Sequence, residues 1–234
     1  MSLYKKLFKQ TFIYGLATVL PRALAIVLVP LYTSVLDPSS FGVYATLMAY
    51  IILGNVLLSY GMETAFFRFL NKDNTKKSLV QSTALTSITI TSLAIFVLAY
   101  LLKDQIANLI GFDERYVVWA LQILVLDALV IIPFVWYRAN EKPLKYAFVK
   151  ILNVCINLGF NLFFFLALPI LDNGNLENFW GAMRLVDDPV DFIFKANIIA
   201  SGATLLMVLP LYFKIKFKFD YALWKQMMRY AFPV

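Results

Sequence analysis

Apolar residues run along this chain in six long blocks, at about 11–36, 43–69, 79–102, 116–137, 144–171 and 192–213, parted by polar connections. A helix that crosses a hydrocarbon core needs about 20 predominantly apolar residues, and each block meets that length. Lipid offers no partner to backbone polar groups, so helices, which bond internally, are predicted throughout. The connections are Asp37-Pro38-Ser39-Ser40, then NKDNTKKS, KDQIANLIGFDER and RANEKP, and last an acidic loop, DNGNLENFWGAMRLVDDPVDF. Phe179 and Trp180 in that loop suit the headgroup level, and an amphipathic stretch around Gln105–Phe112 is expected in the same outer interface. The fold class expected is all-α: a polytopic membrane helical bundle of six transmembrane helices plus the start of a seventh.

Polar residues recur inside the blocks at helical spacing. The first block carries Thr11, Gly15, Thr18 and Arg22 at steps of four, three and four, on one face of a helix, with prolines at 21 and 30. An arginine at mid-depth costs roughly 2.5–3.5 kcal/mol on insertion scales and usually faces a bundle interior or a wet cavity. Each proline removes a backbone donor, which neighbouring helices or water must offset. This block therefore reads as an inner helix lining something polar. The second block has Asn55, Ser59 and Glu63, the fifth Tyr146, Lys150, Asn153, Asn157 and Asn161, the sixth Asn197, Ser201 and Thr204; the fourth has Asp127 alone. The hydroxyl positions, including Ser82, Thr86 and Thr89 of the third block, read as helix-to-helix bonds worth about 0.6 kcal/mol each. The ionisable residues read as the lining of a cavity, whereas Arg68 and Lys195 lie near span ends and can snorkel. At about 1.5 Å per residue, Arg22 and Asp127 lie roughly 15 Å deep and Glu63 and Lys150 roughly 9 Å. Arg22–Asp127 and Glu63–Lys150 are the expected charge pairs.

Composition strengthens the membrane reading: 61% of the 234 residues are hydrophobic and 15% charged, against roughly 45–50% and about 25% in soluble domains. The net charge of +7 is distributed by rule. Lys5, Lys6 and Lys9 precede the first span; Lys72, Lys76 and Lys77 follow the second; Arg138 and Lys142 follow the fourth; Lys214, Lys216 and Lys218 follow the sixth. The positive-inside rule then places both ends and the even-numbered connections in the cytoplasm, and nucleic-acid binding is not needed to explain the basicity. There is no histidine, and the single Cys155 lies in an apolar run, so no disulfide, Cys/His metal site or cofactor is expected. Lys5–Lys9 and Ala23-Leu24-Ala25 imitate a cleavable signal peptide. The apolar run continues to Leu36, however, with Pro21 and Arg22 crowding the would-be cleavage site, so retention is expected.

The opening pattern Leu7-Phe8-Lys9-Gln10-x-x-x-Tyr14-Gly15 returns as Leu223-Trp224-Lys225-Gln226-x-x-x-Tyr230-Ala231. Six spans separate the copies, so both approach the membrane from one side, as two halves related by an axis along the membrane normal would. On this reading residues 1–218 form an N-terminal transmembrane lobe. Residues 219–234 then begin a second lobe, whose remainder is the missing C-terminal lobe of the same protein, in a transporter about twice as long.

Arg22 and Lys150 give the cavity a cationic balance suited to an anion such as a diphosphate, which arginine can grip through two parallel bonds. Asn55, Asn153 and Asn157 suit a sugar head group. Glu63 and Asp127 are candidates for a coupling proton or sodium ion, because buried carboxylates have tunable proton affinity. A multidrug or small-cation exporter would be expected to have a more acidic cavity. A membrane enzyme is disfavoured by the lack of histidine for acid–base work, of a DxD-like metal site and of a large catalytic loop. A non-transporting scaffold or assembly subunit is the further alternative.

Several stretches resemble the polysaccharide or O-antigen flippase family, within the superfamily that also holds multidrug exporters and lipid II flippases. They are Lys5-Lys6-Leu7-Phe8-Lys9 with Gly15, Pro30-Leu31-Tyr32-Thr33-Ser34-Val35-Leu36, Phe41-Gly42-Val43-Tyr44, and Tyr60-Gly61 running to Phe66-Phe67-Arg68-Phe69. The resemblance implies a two-lobed, V-shaped bundle of 12–14 spans in the bacterial inner membrane. It further implies a lipid-linked oligosaccharide on an undecaprenyl diphosphate carrier, flipped from the cytoplasmic leaflet with ion-coupled exchange. Arg22 best matches the cationic first-span residue of such a cavity. The departure from the family pattern is that the 234 residues supply no second lobe, and without one alternating access is not expected to operate within one copy.

Overall fold

The computed structural model describes residues 3–72, 76–172, 188–215 and 217–231. Phe179, Trp180 and Arg184 of the acidic loop, Lys216 and Pro233-Val234 lie outside the described residues, as does the side chain of Arg22. The described residues are helical, with no strand among them: α1 Leu3–Val35, α2 Pro38–Ser59, α3 Met62–Leu70, α4 Lys77–Leu101, α5 Lys103–Ile110, α6 Glu114–Ala139 and α7 Pro143–Leu162. A π-helical turn, Phe163–Ala167, joins α7 to α8 (Leu168–Asp172), and α9 (Pro189–Lys214) and α10 (Tyr221–Ala231) follow. Among the described residues, six helical runs are long and apolar enough to cross a membrane: Thr11–Val35, Pro38–Leu70, Lys77–Leu101, Glu114–Ala139, Pro143–Leu171 and Pro189–Lys214. They coincide with the six apolar blocks. The protein is a multi-pass membrane bundle.

Local chemistry fixes the helix starts. Asp37, Asp113 and Asp188 cap α2, α6 and α9 by accepting hydrogen bonds from first-turn N–H groups, each satisfying donors that a helix start leaves orphaned. Pro38 and Pro189 follow two of these caps, at the position where a missing N–H costs nothing. The amphipathic stretch expected near Gln105 is α5, ended by Gly111 at φ 73°.

Two differences from the sequence reading matter. The second span is not one helix. Tyr60 (φ 32°) and Gly61 (φ 70°) both adopt left-handed backbone and break it into α2 and α3. Glycine pays nothing for that conformation; a tyrosine does. The Tyr60 hydroxyl lies 2.8 Å from Ser87 Oγ and 3.3 Å from Thr91 Oγ1 on α4, which hold the bend.

The first span is not the inner helix of this bundle. It packs mainly along α7, with Phe12, Val19, Ile26 and Val27 exposed. Its polar stripe, Thr11, Gly15 and Thr18, is exposed too, and Thr18 Oγ1 turns back to donate to the Tyr14 carbonyl of its own helix. The centre is held by α6 and α9, which pack on one another and on α7. A proline decides one of their contacts. Pro133, inside α6, cannot donate to the Leu129 carbonyl a turn earlier, and the Tyr212 hydroxyl of α9 donates to that oxygen at 2.5 Å.

Packing divides by end. Toward the ends of α1 and α7 and the start of α9, Tyr32, Ile51, Phe164, Phe165, Phe192 and Phe194 form one core, with Phe164 stacked on Phe192 at 4.9 Å. At the basic end, Met62, Phe66, Phe69, Val80 and Leu85 form another with Leu223 and Met227 of α10. Ala231 closes on the bend: a Cβ added at Gly61 would sit 3.2 Å from its Cβ.

Candidate functional site

Between these two cores the helices part. A cavity of about 450 Å3 opens there, lined from α2, α3, α6, α7 and α9. Apart from Arg138 of α6, its polar groups are ones singled out in the sequence. Asn55 and Ser59 come from α2 and Glu63 from α3; Asp127 comes from α6, Tyr146, Lys150 and Asn153 from α7, and Asn197, Ser201 and Thr204 from α9. A four-residue step advances a helix by only slightly more than one turn, so each stripe stays on one side of its helix and the four sides converge.

The deepest charge is Asp127. Its Oδ1 accepts from Ser201 Oγ at 2.8 Å and its Oδ2 from Asn55 Nδ2 at 3.2 Å. The amide oxygen of Asn55, Oδ1, is buried with no hydrogen-bond partner. One turn further toward the basic end, Asn153 Nδ2 donates to Thr204 Oγ1 at 2.9 Å, and that hydroxyl donates to the Ala200 carbonyl. Lys150 Nζ lies 4.5 Å from the centre of the Phe134 ring, within electrostatic range of Asp127 and Glu63. No carboxylate among the described residues comes within ion-pair distance of it. An ammonium held on an aromatic face is stabilised by the ring quadrupole yet keeps its donors for a ligand.

Glu63 and Lys150 stay within electrostatic range of one another but make no direct ion pair among the described residues. Glu63 pairs with Arg138 of α6, Oε2 to Nη1 at 3.8 Å. The cause is the bend at Tyr60–Gly61, which sends α3 across to pack on α6 as well as α4. A straight second span would not have made that turn. Both side chains are more than two-fifths exposed, so the pair is weak and can open. Arg138 also lies over the Phe67 ring, at 5.1 Å. The Arg22–Asp127 pairing falls on a side chain outside the described residues, and the partners found for Asp127 are neutral. The expected cationic balance counted Arg22; the described lining holds two carboxylates and two cations.

Arg138 was read as part of a basic connection, and its place in the cavity went unnoticed. The signal was available: Asp127, Ile131, Phe134 and Arg138 step by four, three and four, and all line the cavity. Asn157 lies elsewhere, in an adjoining cavity of about 250 Å3 that Asn153 and Asn197 also border. There the Tyr32 hydroxyl donates to Asn161 Oδ1 at 2.9 Å, and Asn161 Nδ2 donates to the Asn157 carbonyl and side-chain oxygens.

A polar cavity inside a membrane bundle, with charged, amide and hydroxyl groups brought together from five helices, is the kind of place where a bundle tolerates intramembrane charge. Over residues 7–234 the sequence matches the family described as polysaccharide biosynthesis protein, the family of O-antigen and polysaccharide flippases. The chain belongs to this family. No curated protein and no solved structure matches it. As a polysaccharide biosynthesis protein it carries a transport role connected with polysaccharides. Its family members are transporters rather than enzymes, and no group of three or more acidic or thiol side chains able to hold a metal is found among the described residues.

Proposed function

We propose that this chain is one lobe of a flippase. It carries a lipid-linked oligosaccharide, on an undecaprenyl diphosphate carrier, from the cytoplasmic to the outer leaflet of the bacterial inner membrane. The observation that carries the reading is the cavity with Lys150 poised on Phe134 beside asparagines 55, 153 and 197. Lys150, and Arg138 once its weak pair with Glu63 opens, meet the diphosphate. The amides meet sugar hydroxyls, and Arg22 adds a cation from α1. Asp127 and Glu63 are the groups for ion coupling, by a proton or sodium ion. On this reading the cavity's Arg138 end faces the cytoplasm, which the lysines of the even-numbered connections support.

The exposed Thr11, Gly15 and Thr18 stripe of α1 supports a second lobe. A polar stripe facing lipid gains nothing, whereas one facing a second bundle across a cleft adds polar surface to the path. Alternating access would then be the rocking of two such lobes about the substrate. The two carboxylates of the lining, Asp127 and Glu63, favour a second reading, a multidrug or small-cation exporter, and the test separates the two.

Cells lacking their own flippase for a surface polysaccharide are given the gene that encodes this chain, and the polymer is assayed at the surface. Restoration is expected, and its loss in Lys150→Ala and in Arg22→Ala at equal membrane abundance. Restoration that survives both substitutions would remove the anion site from the proposal. Failure of the unaltered gene with several glycans, together with new resistance to cationic dyes, would establish the exporter instead.

A further inference from the structure

A second charged cavity lies outside the transport path, where α4 begins and α9 ends. Its volume is about 500 Å3, and Lys76, Ser78 and Gln81 line it from one side, Lys214 and Lys218 from the other. No acidic residue is in its lining. None of the three lysines has a carboxylate within 4 Å among the described residues. Lys76 is also the N-cap of α4, where its carbonyl accepts from the Leu79 N–H, and the positive end of the helix dipole adds to the three ammonium groups.

The cavity is held in shape from below. Ser82 Oγ donates to the Lys218 carbonyl at 2.7 Å and accepts from the Lys218 N–H at 2.5 Å. Thr83 Oγ1 accepts from the Asp220 N–H at 3.2 Å. The stretch after α9 is thus pinned to the second turn of α4, and Lys218 is fixed against the face that carries Ser78. The general excess of lysine at this end of the bundle does not require lysines from separate elements to converge on one concavity.

The surroundings say at what depth it lies. Phe213, Phe217 and Phe219 alternate with the lysines and are 81%, 60% and 48% exposed. Apolar rings exposed beside lysines fit the boundary of hydrocarbon and headgroups, where the rings meet acyl chains and the ammonium groups reach the polar layer. Basic pockets at that depth between helix ends suit phosphate headgroups.

We infer that Lys76, Lys214 and Lys218, with Ser78 and Gln81, form a binding site for the phosphate headgroup of an anionic membrane phospholipid. The lysines neutralise the phosphodiester, while the Ser78 hydroxyl and the Gln81 amide bond to its oxygens. The acyl chains lie along the exposed phenylalanines. This site is independent of the transported substrate.

The purified protein in neutral detergent is titrated with phosphatidylglycerol, with phosphatidylcholine and with inorganic phosphate, and bound lipid is read by native mass spectrometry. Phosphatidylglycerol is expected to bind, and Lys76→Gln/Lys214→Gln/Lys218→Gln to weaken it by about 10- to 100-fold. Replacing the same three lysines by arginine preserves binding. A control with Lys5→Gln, Lys145→Gln and Lys225→Gln, three exposed lysines of the same end, is expected to bind as the unaltered protein does. An equal loss in that control would show general surface attraction and overturn the site. So would unchanged binding in the first variant, or displacement of the lipid by inorganic phosphate at equal concentration.

Discussion

Two charged clusters lie along the contact of α6 and α9, one at the start of both helices and one at mid-depth, where α7 joins, and the two are built on opposite plans. At the start of both helices Arg115 forms ion pairs with Asp191, at 3.1 Å, and with Asp188, at 3.4 Å. Tyr116 OH donates to Asp188 and Trp119 Nε1 to Asp191, and Asp188 with Asp191 closes a capping box on α9. Lys103 of α5 adds an ion pair with Glu114. Each carboxylate here has a cation or an aromatic donor on the facing helix. At mid-depth, Asp127 is met by an amide and a hydroxyl, and Lys150 by a ring. Opposite charges brought into contact fasten two helices and leave nothing for a ligand. Charges held apart by neutral partners cost more to bury, and a bundle keeps them where a solute supplies the missing partner.

The contrast predicts opposite failures. Lys150→Met should reduce transport by on the order of 30-fold or more, as loss of one partner in a desolvated charged contact does. It should leave the melting temperature level or raised, because a poorly compensated ammonium is removed from a half-buried site. Transport and thermal melting of the same preparation check this. A large fall in Tm with normal transport per folded molecule would make Lys150 a fastener and erase the distinction.

Asp191→Ala is the converse. Arg115 and Trp119 would each lose a partner, a cost of about 2 kcal/mol, or a Tm lowered by roughly 4–8 °C for a chain of this size. Transport by the molecules that remain folded should change little. A comparable loss from Lys150→Met would place the two clusters on one footing.

The bend at Tyr60–Gly61 is the device that lets α3 reach α6, and Gly61→Ala tests it. The new Cβ meets Ala231 at 3.2 Å while the backbone holds φ 70°, for a cost of about 1–2 kcal/mol. Because Glu63 follows two residues later, the Glu63–Arg138 pair should loosen as well. Salt dependence of transport, read beside thermal stability, distinguishes a displaced α3 from a merely strained turn.

How much of this was legible in the sequence follows from what each feature depends on. The six spans were, since length and apolarity decide them locally. The cavity stripes were too, because Asn55, Asp127, Lys150, Asn153 and Ser201 point the same way through helix geometry alone. The direct partner of Glu63 was not. Depth arithmetic assumes straight helices, and two consecutive left-handed residues at 60 and 61 redirected Glu63 to Arg138. The position of α1 was not legible either. Its polar face says that it avoids lipid, but not whether this bundle or a facing one receives it. The placement of α10 under the bend depends on hydrogen bonds between the hydroxyls of α4 and a segment more than 130 residues later, Ser82 donating to it and Thr83 and Ser87 accepting from it, which no local pattern contains.

The smallest effect separates two capping aspartates that share the clamp end of the bundle. Asp188 accepts from Arg115 as well as from its helix, whereas Asp37 has only hydrogen bonds from Ser40 and Ser39 at the start of α2. Those bonds, Ser40 foremost, hold the exposed Asp37 carboxyl down at about 2. A carboxylate with a lowered proton affinity stabilises the fold above its unfolded value and loses that contribution as pH falls toward its folded value. The loss should therefore fall between about pH 4 and pH 2. Asp37→Asn keeps an oxygen for the cap and removes the titration, so its melting temperature should decline less across that window than that of the unaltered protein. Parallel acid titrations of melting temperature check it. Equal slopes in the two proteins would mean that the cap contributes through geometry alone, and that charge at this end matters only where Arg115 answers it.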